Sequence, residues 1–109
     1  MEKPVSKKVL LMFLSLLVAP IMVYADPVWI DVRTEAEHRQ DSIDGDLLIP
    51  HNQIVEQVSR QFPDKDTDIH LYCLSGGRAE KARSALEDAG YTRVKNTGGI
   101  EDARAARDL

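Results

Sequence analysis

The feature that most restricts the fold is an alternation, repeated four times between residues 28 and 109, of a short strand-like run and a stretch with helical periodicity. Val28 to Val32 (VWIDV) is β-branched and aromatic; TEAEHRQ follows, with Thr34 placed to cap a helix and Glu37 at capping-box spacing. Leu47 to Ile49 is a second short run, stopped by Pro50, after which Ile54, Val55, Val58 and Phe62 share one helical face until Pro63. Asp68 to Tyr72 (DIHLY) is the third run. Beyond it Ala79, Ala82, Leu86 and Ala89 recur at helical spacing, and Gly90 offers the left-handed stop. Tyr91 to Asn96 reads as a fourth strand and Ile100 to Leu109 as a final helix. Strands alternating with helices require crossover connections, so an α/β domain is expected, with a mostly parallel sheet of about four to five strands flanked by helices. No internal repeat, low-complexity tract or linker interrupts the pattern, and one compact unit is expected over residues 26–109.

The first 25 residues are of a different kind. Lys3, Lys7 and Lys8 precede the apolar run Val9 to Ala19, and Val23 and Ala25 stand three and one residues before an expected cut at Ala25/Asp26. This is the order of a secretory signal. A bilayer-spanning helix wants roughly 20 apolar residues, and Pro20 interrupts the run before that, so a cleaved leader (residues 1–25) is expected rather than a stable membrane anchor. No cysteine follows the run to accept a lipid. The expected location of the mature chain is the periplasm.

Removing the leader takes away three lysines and Glu2, which leaves 11 basic against 17 acidic side chains, a net charge of −6 with histidines neutral. Such a balance argues against nucleic acid or an anionic membrane as the main partner. A mature chain of 84 residues builds one thin core, which exported domains often supplement with disulfides. Cys73 is the single cysteine and has no partner in the chain. An unpaired thiol in an oxidising compartment points to intermolecular pairing or to reactivity.

The setting of that cysteine favours reactivity. Residues 73 to 78 read Cys-Leu-Ser-Gly-Gly-Arg, at the carboxyl end of a strand, where open parallel sheets gather their ligands. Two glycines let the backbone curl so that several N–H groups point inward, and the helix that follows adds the positive end of its dipole. Arg78 adds a full charge. A free thiol has a pKa of about 8.5, and surroundings of this kind lower it. The alternative for any lone cysteine is a small buried hydrophobe at the end of the IHLYC strand; the glycine pair, the arginine and the helix start argue against it.

In order and spacing these segments resemble a single-domain rhodanese, in particular the small exported sulfurtransferases of that family. WIDVRTEAEH (Trp29 to His38) resembles the family's entry strand, and SIDGDLLIP (Ser42 to Pro50) its Ile-x-Gly to Ile-Pro segment. YCLSGGRA resembles its Cys-x-x-Gly-x-Arg loop, and TGGIEDA (Thr97 to Ala103) its late Gly-Gly turn. The resemblance implies a small three-layer rhodanese-like domain that moves sulfane sulfur through a cysteine persulfide. The donor would be thiosulfate or a similar small anion, and the acceptor cyanide or a thiol. It implies Cys73 as nucleophile, the amides of Leu74, Ser75, Gly76, Gly77 and Arg78 around the persulfide, and Arg78 steering and holding the anion. Asp31 and Arg33 match positions linked to structure. No metal or organic cofactor and no partner beyond the two substrates is implied, and a monomer is expected. Ser42, Leu48 and Ala79 depart from the usual pattern, and Ala79 removes a hydroxyl near the site.

Other readings fit less well. A cysteine phosphatase places its arginine six positions after the nucleophile, where this chain has Ala79. A thioredoxin-like oxidoreductase would need Cys-x-x-Cys. A non-catalytic persulfide carrier or partner-binding module using the same loop remains the alternative from another class. His38, His51 and His70 are too scattered for a metal site, and His70 reads as a strand residue. Asp64, Asp66 and Asp68 read as a solvated loop, Lys81 and Arg83 as an exposed helix face, and Trp29 as core.

Overall fold

The computed structural model describes residues 26–109; the expected leader lies outside the described residues. The chain runs β1 (Val28–Asp31), α1 (Glu35–Gln40), β2 (Leu47–Leu48), a 3₁₀ turn (His51–Gln53), α2 (Ile54–Gln61), β3 (Ile69–Cys73), α3 (Gly77–Asp88), β4 (Val94–Gly99) and α4 (Ile100–Ala106). The four strands form one parallel sheet in the order β2-β1-β3-β4, with Ile30 opposite Leu47 on one side and Leu71 on the other. The α/β architecture expected from the alternation is the one observed.

Strand pleating divides the side chains between two cores. Ile30 and Val32 of the first strand region join Ile69, Leu71 and Cys73 of β3 on one face, covered by Ile54 and Val58 of α2 and Ala79, Ala82 and Leu86 of α3. The opposite face is smaller: Tyr72 meets Ile43, Ile100 and Ala103, with Trp29 at its margin. Trp29 is therefore only partly buried rather than core. The Arg107 guanidinium lies over its ring, 3.9 Å from the centroid, and the His70 ring is tilted against it at 4.6 Å. Short α4 is too small to cover the indole, and an arginine does so instead.

Two features of the alternation come from local chemistry. Thr34 and Glu37 form the expected capping box: Glu37 N–H donates to Thr34 Oγ1 at 3.2 Å, and Thr34 N–H donates back to Glu37 Oε1 at 3.2 Å. The fourth strand begins three residues later than the β-branched pattern suggests. Tyr91 N–H closes α3 by donating to Leu86 O, and Thr92 N–H donates to Lys65 O, so both are spent before ladder pairing begins at Val94. The strand then continues through Thr97, Gly98 and Gly99. Leu71 faces Asn96 and Cys73 faces Gly99, so one extra residue is accommodated in β4, with Gly98 at φ +99°. That bulge brings the Gly-Gly turn against the cysteine loop.

Among the described residues no helix is long and apolar enough to cross a membrane, and no group of three or more His, Cys, Asp or Glu is placed to hold a metal ion.

Candidate functional site

Cys73 is the last residue of β3, and the chain turns within three residues into α3. Gly76 makes this possible. It caps α3 with φ +100°, a region that side-chain-bearing residues rarely adopt, and a Cβ there would also lie 3.3 Å from Gly98 Cα. The turn aims the backbone at the sulfur: Gly76 N–H donates to Cys73 Sγ at 2.9 Å. Burial pushes the thiol pKa up, but the N–H groups of Ala79, Ser75, Gly76 and Arg78, turned onto the sulfur, pull it down by more, and the net is below the ordinary thiol value. Of the amides expected around the sulfur from Leu74 to Arg78, those of Ser75, Gly76 and Arg78 act on the thiol, together with that of Ala79 just beyond them. Ala79 contributes its peptide N–H, so its missing hydroxyl is not needed for this part of the site.

The remaining predicted residues take varied places. Leu74 is 63% exposed and presents its side chain to solvent, while its carbonyl oxygen lies where a Cβ on Gly99 would be only 2.2 Å away. Ser75 and Gly77 are exposed. Cys73 itself is 1% exposed, so the thiol lies at the floor of the loop and not on the surface. It is grouped with core hydrocarbon on one side, yet the amide hydrogens face it from the other.

Arg78, expected to steer and hold the anion, is itself held by a carboxylate. Its Nη1 and Nη2 donate to Glu37 Oε1 and Oε2 at 2.6 and 2.9 Å, a fork-to-fork pair across 41 positions of sequence. The same carboxylate serves the capping box of α1, and the Arg78 guanidinium holds Glu37 at a pKa of about 2. The capping spacing already accounts for a glutamate at position 37, so nothing in the sequence marks this second role.

Asn96 also escapes a reading from sequence. Its Nδ2 donates to Gly76 O at 3.0 Å and its Oδ1 accepts from Gly98 N–H at 2.9 Å, which binds the cysteine loop to the Gly-Gly turn. Behind the site Asp31 and Arg33 form a buried bidentate pair at 2.9 and 2.8 Å, and His38 Nδ1 lies 3.0 Å from Asp31 Oδ2. Burial raises the Asp31 pKa, but the hydrogen bonds and charge of Arg33, together with His38, lower it by more. Arg33 Nη2 reaches on to Asp41 O, so this pair braces β1 against the end of α1. An open groove of about 460 Å³ lies alongside, lined by Arg33, Glu37, Gln40, Asp41, Leu74, Ile100 and Glu101.

A buried sulfur surrounded by peptide N–H groups is equipped to exist as a thiolate and to hold an added negatively charged atom. The described residues supply no second thiol and no histidine hydrogen-bonded to the sulfur.

Comparison with known proteins agrees with this arrangement. The chain is 35% identical over 86 residues to the thiosulfate sulfurtransferase PspE of Escherichia coli K12, covering 79% of this chain and 83% of that protein. It is 41% identical over 76 residues to a sulfurtransferase of Allochromatium vinosum, covering 69% of each. A solved structure described as a rhodanese with anions from E. coli superposes with a TM-score of 0.67 at 34% identity, over 71% of this chain and 91% of that one. The model of the rhodanese-like domain matches residues 21–106, and the chain belongs to that family.

Proposed function

We propose that this protein is a sulfurtransferase that carries sulfane sulfur on Cys73. The observation that carries the proposal is the Gly76 N–H bonded to Cys73 Sγ at 2.9 Å, within a turn whose other amides also lower the thiol pKa. The sulfurtransferases among its relatives support the same reading. In the first half-reaction the Cys73 thiolate attacks the outer sulfur of thiosulfate, the S–S bond of the donor breaks, and sulfite departs with the bonding pair. The terminal sulfur of the resulting persulfide carries the negative charge, and the ring of amides stabilises it without reorganising. In the second half-reaction a thiol or cyanide attacks that terminal sulfur and Cys73 leaves as the thiolate. Because the sulfur lies at the floor of the loop, a slender donor is favoured over a bulky one.

Intact mass before and after thiosulfate tests the first step: wild type gains one sulfur atom and Cys73→Ser gains none. An unmodified wild type, or a loaded Cys73→Ser protein, would overturn the assignment. A persulfide carrier is the second reading, favoured by the burial of Cys73; loading without turnover to cyanide or thiol would select it. Export belongs to the proposal as well, and the mass of the periplasmic form should begin at Asp26.

A further inference from the structure

Among the described residues, the three guanidinium groups at and beside the groove next to the cysteine loop are each held by a carboxylate. Arg33 is bound to Asp31, Arg104 to Asp41 and Glu101, and Arg78 to Glu37. Glu37 holds a particular position among these, because it lines the groove that also contains Leu74, the residue after the nucleophile, while its carboxylate takes both terminal nitrogens of Arg78. An anion approaching Cys73 along this side therefore meets a neutral ion pair and the amide cradle, with no unmatched guanidinium.

From this we infer that Glu37 is a specificity-determining residue: by cancelling the charge of Arg78 it directs the site toward sulfane donors of low charge, such as organic thiosulfonate monoanions, and weakens capture of dianionic thiosulfate. The inference rests on Cys73 receiving sulfur from an anionic donor, and it names the donor class. Glu37 does not touch the sulfur. It acts through Arg78, whose guanidinium it fixes in place and neutralises. The sequence pattern assigns Glu37 to a helix cap, and glutamine serves a capping box equally well, so charge and cap can be separated by one substitution.

Glu37→Gln keeps one carbonyl oxygen to accept from Thr34 and from one Arg78 nitrogen, while removing the negative charge and the second acceptor. Taking away one unit charge at a distance on the order of 7 Å in a water-like dielectric changes capture of a monovalent anion about threefold and of a dianion about sevenfold. Two alkylating reagents of similar size read this without any sulfur transfer. In Glu37→Gln the rate of Cys73 alkylation by anionic iodoacetate, divided by that by neutral iodoacetamide, should rise about threefold at low salt and return toward the wild-type ratio at high salt. The KM for thiosulfate should fall about sevenfold and that for methanethiosulfonate about threefold, the gain appearing in KM rather than kcat. In wild type the iodoacetate rate should stay flat or rise with salt. An unchanged alkylation ratio in Glu37→Gln, or a wild-type iodoacetate rate that falls with salt, overturns the inference. The alkylation ratio decides it even if neither donor loads Cys73, an outcome that would overturn the sulfur-transfer reading alone.

Discussion

Gly99→Ala isolates how far the cysteine loop depends on its neighbour in β4. Gly99 has φ −91°, which alanine adopts without strain, so any effect is steric. An added Cβ would stand 2.2 Å from Leu74 O and 3.0 Å from Leu74 C, and both are backbone atoms that cannot rotate aside. An ordinary carbon–oxygen contact is about 3.3 Å, so one of the two segments must retreat by about 1 Å. Overfilling a packed site costs about 1–3 kcal/mol, and in a domain of this size each kcal/mol lowers Tm by about 4–8 °C. A fall of about 5–20 °C is expected. The displaced carbonyl belongs to the residue directly after Cys73, so the Gly76 N–H to sulfur bond should lengthen and the thiol pKa move back toward about 8.5. Thermal unfolding followed by circular dichroism and the pH dependence of iodoacetamide alkylation measure the two effects. Gly77→Ala is the control: no atom lies within 4 Å of its Cβ, and it sits in the first turn of α3. Alanine there should be neutral or stabilising by about 0.4–1 kcal/mol. Should Gly99→Ala match wild type in both Tm and alkylation profile, the close approach of the two segments does not exist in solution.

Four further expectations follow from the same geometry. The folded Cys73 thiol lies below its unfolded pKa, so its ionisation adds stability that is complete above about pH 8.5 and is lost as pH falls through the folded value; the unfolding free energy of wild type relative to Cys73→Ser should grow from neutral pH to about pH 9, and a constant difference would refute the shift. Asp31→Ala leaves Arg33 buried without its counter-charge and should cost about 3–5 kcal/mol in urea unfolding. In wild type Asp31 and Glu37 both have depressed pKa values, so the stability they add is present above about pH 4 and is lost as pH falls below it, toward about 2 for Glu37; a flat acid limb would contradict both pairs. Asn96→Ala removes two hydrogen bonds between the cysteine loop and the Gly-Gly turn and should cost about 1–3 kcal/mol while slowing alkylation near neutral pH.

What the sequence discloses and what it conceals divide along a physical line. Periodicity, proline stops and the Thr34–Glu37 spacing are local signals, and they give the strand–helix order, the parallel sheet and the turn at Cys73. The end of β3 and the start of α3 are set by residues within the loop itself, so the amide cradle is legible there. Contacts between distant segments leave no such trace. Glu37 reads as a cap because it stands three positions after Thr34, whereas its bond to Arg78 spans 41 positions. Asn96 looks like an ordinary polar residue of a strand until the bulge places it under Gly76. The burial of Cys73 and the partial burial of Trp29 depend on how much each helix covers, which follows from helix length and packing rather than from pattern.

The contacts of residues 73–78 with Asn96, Gly98 and Gly99 tie the shape of the loop to the pairing of β4 with β3. The amides that face the sulfur are local to the loop, but the segment that holds them there begins 20 positions beyond Gly76. Loosening that last strand should therefore relax the loop without touching any residue in it.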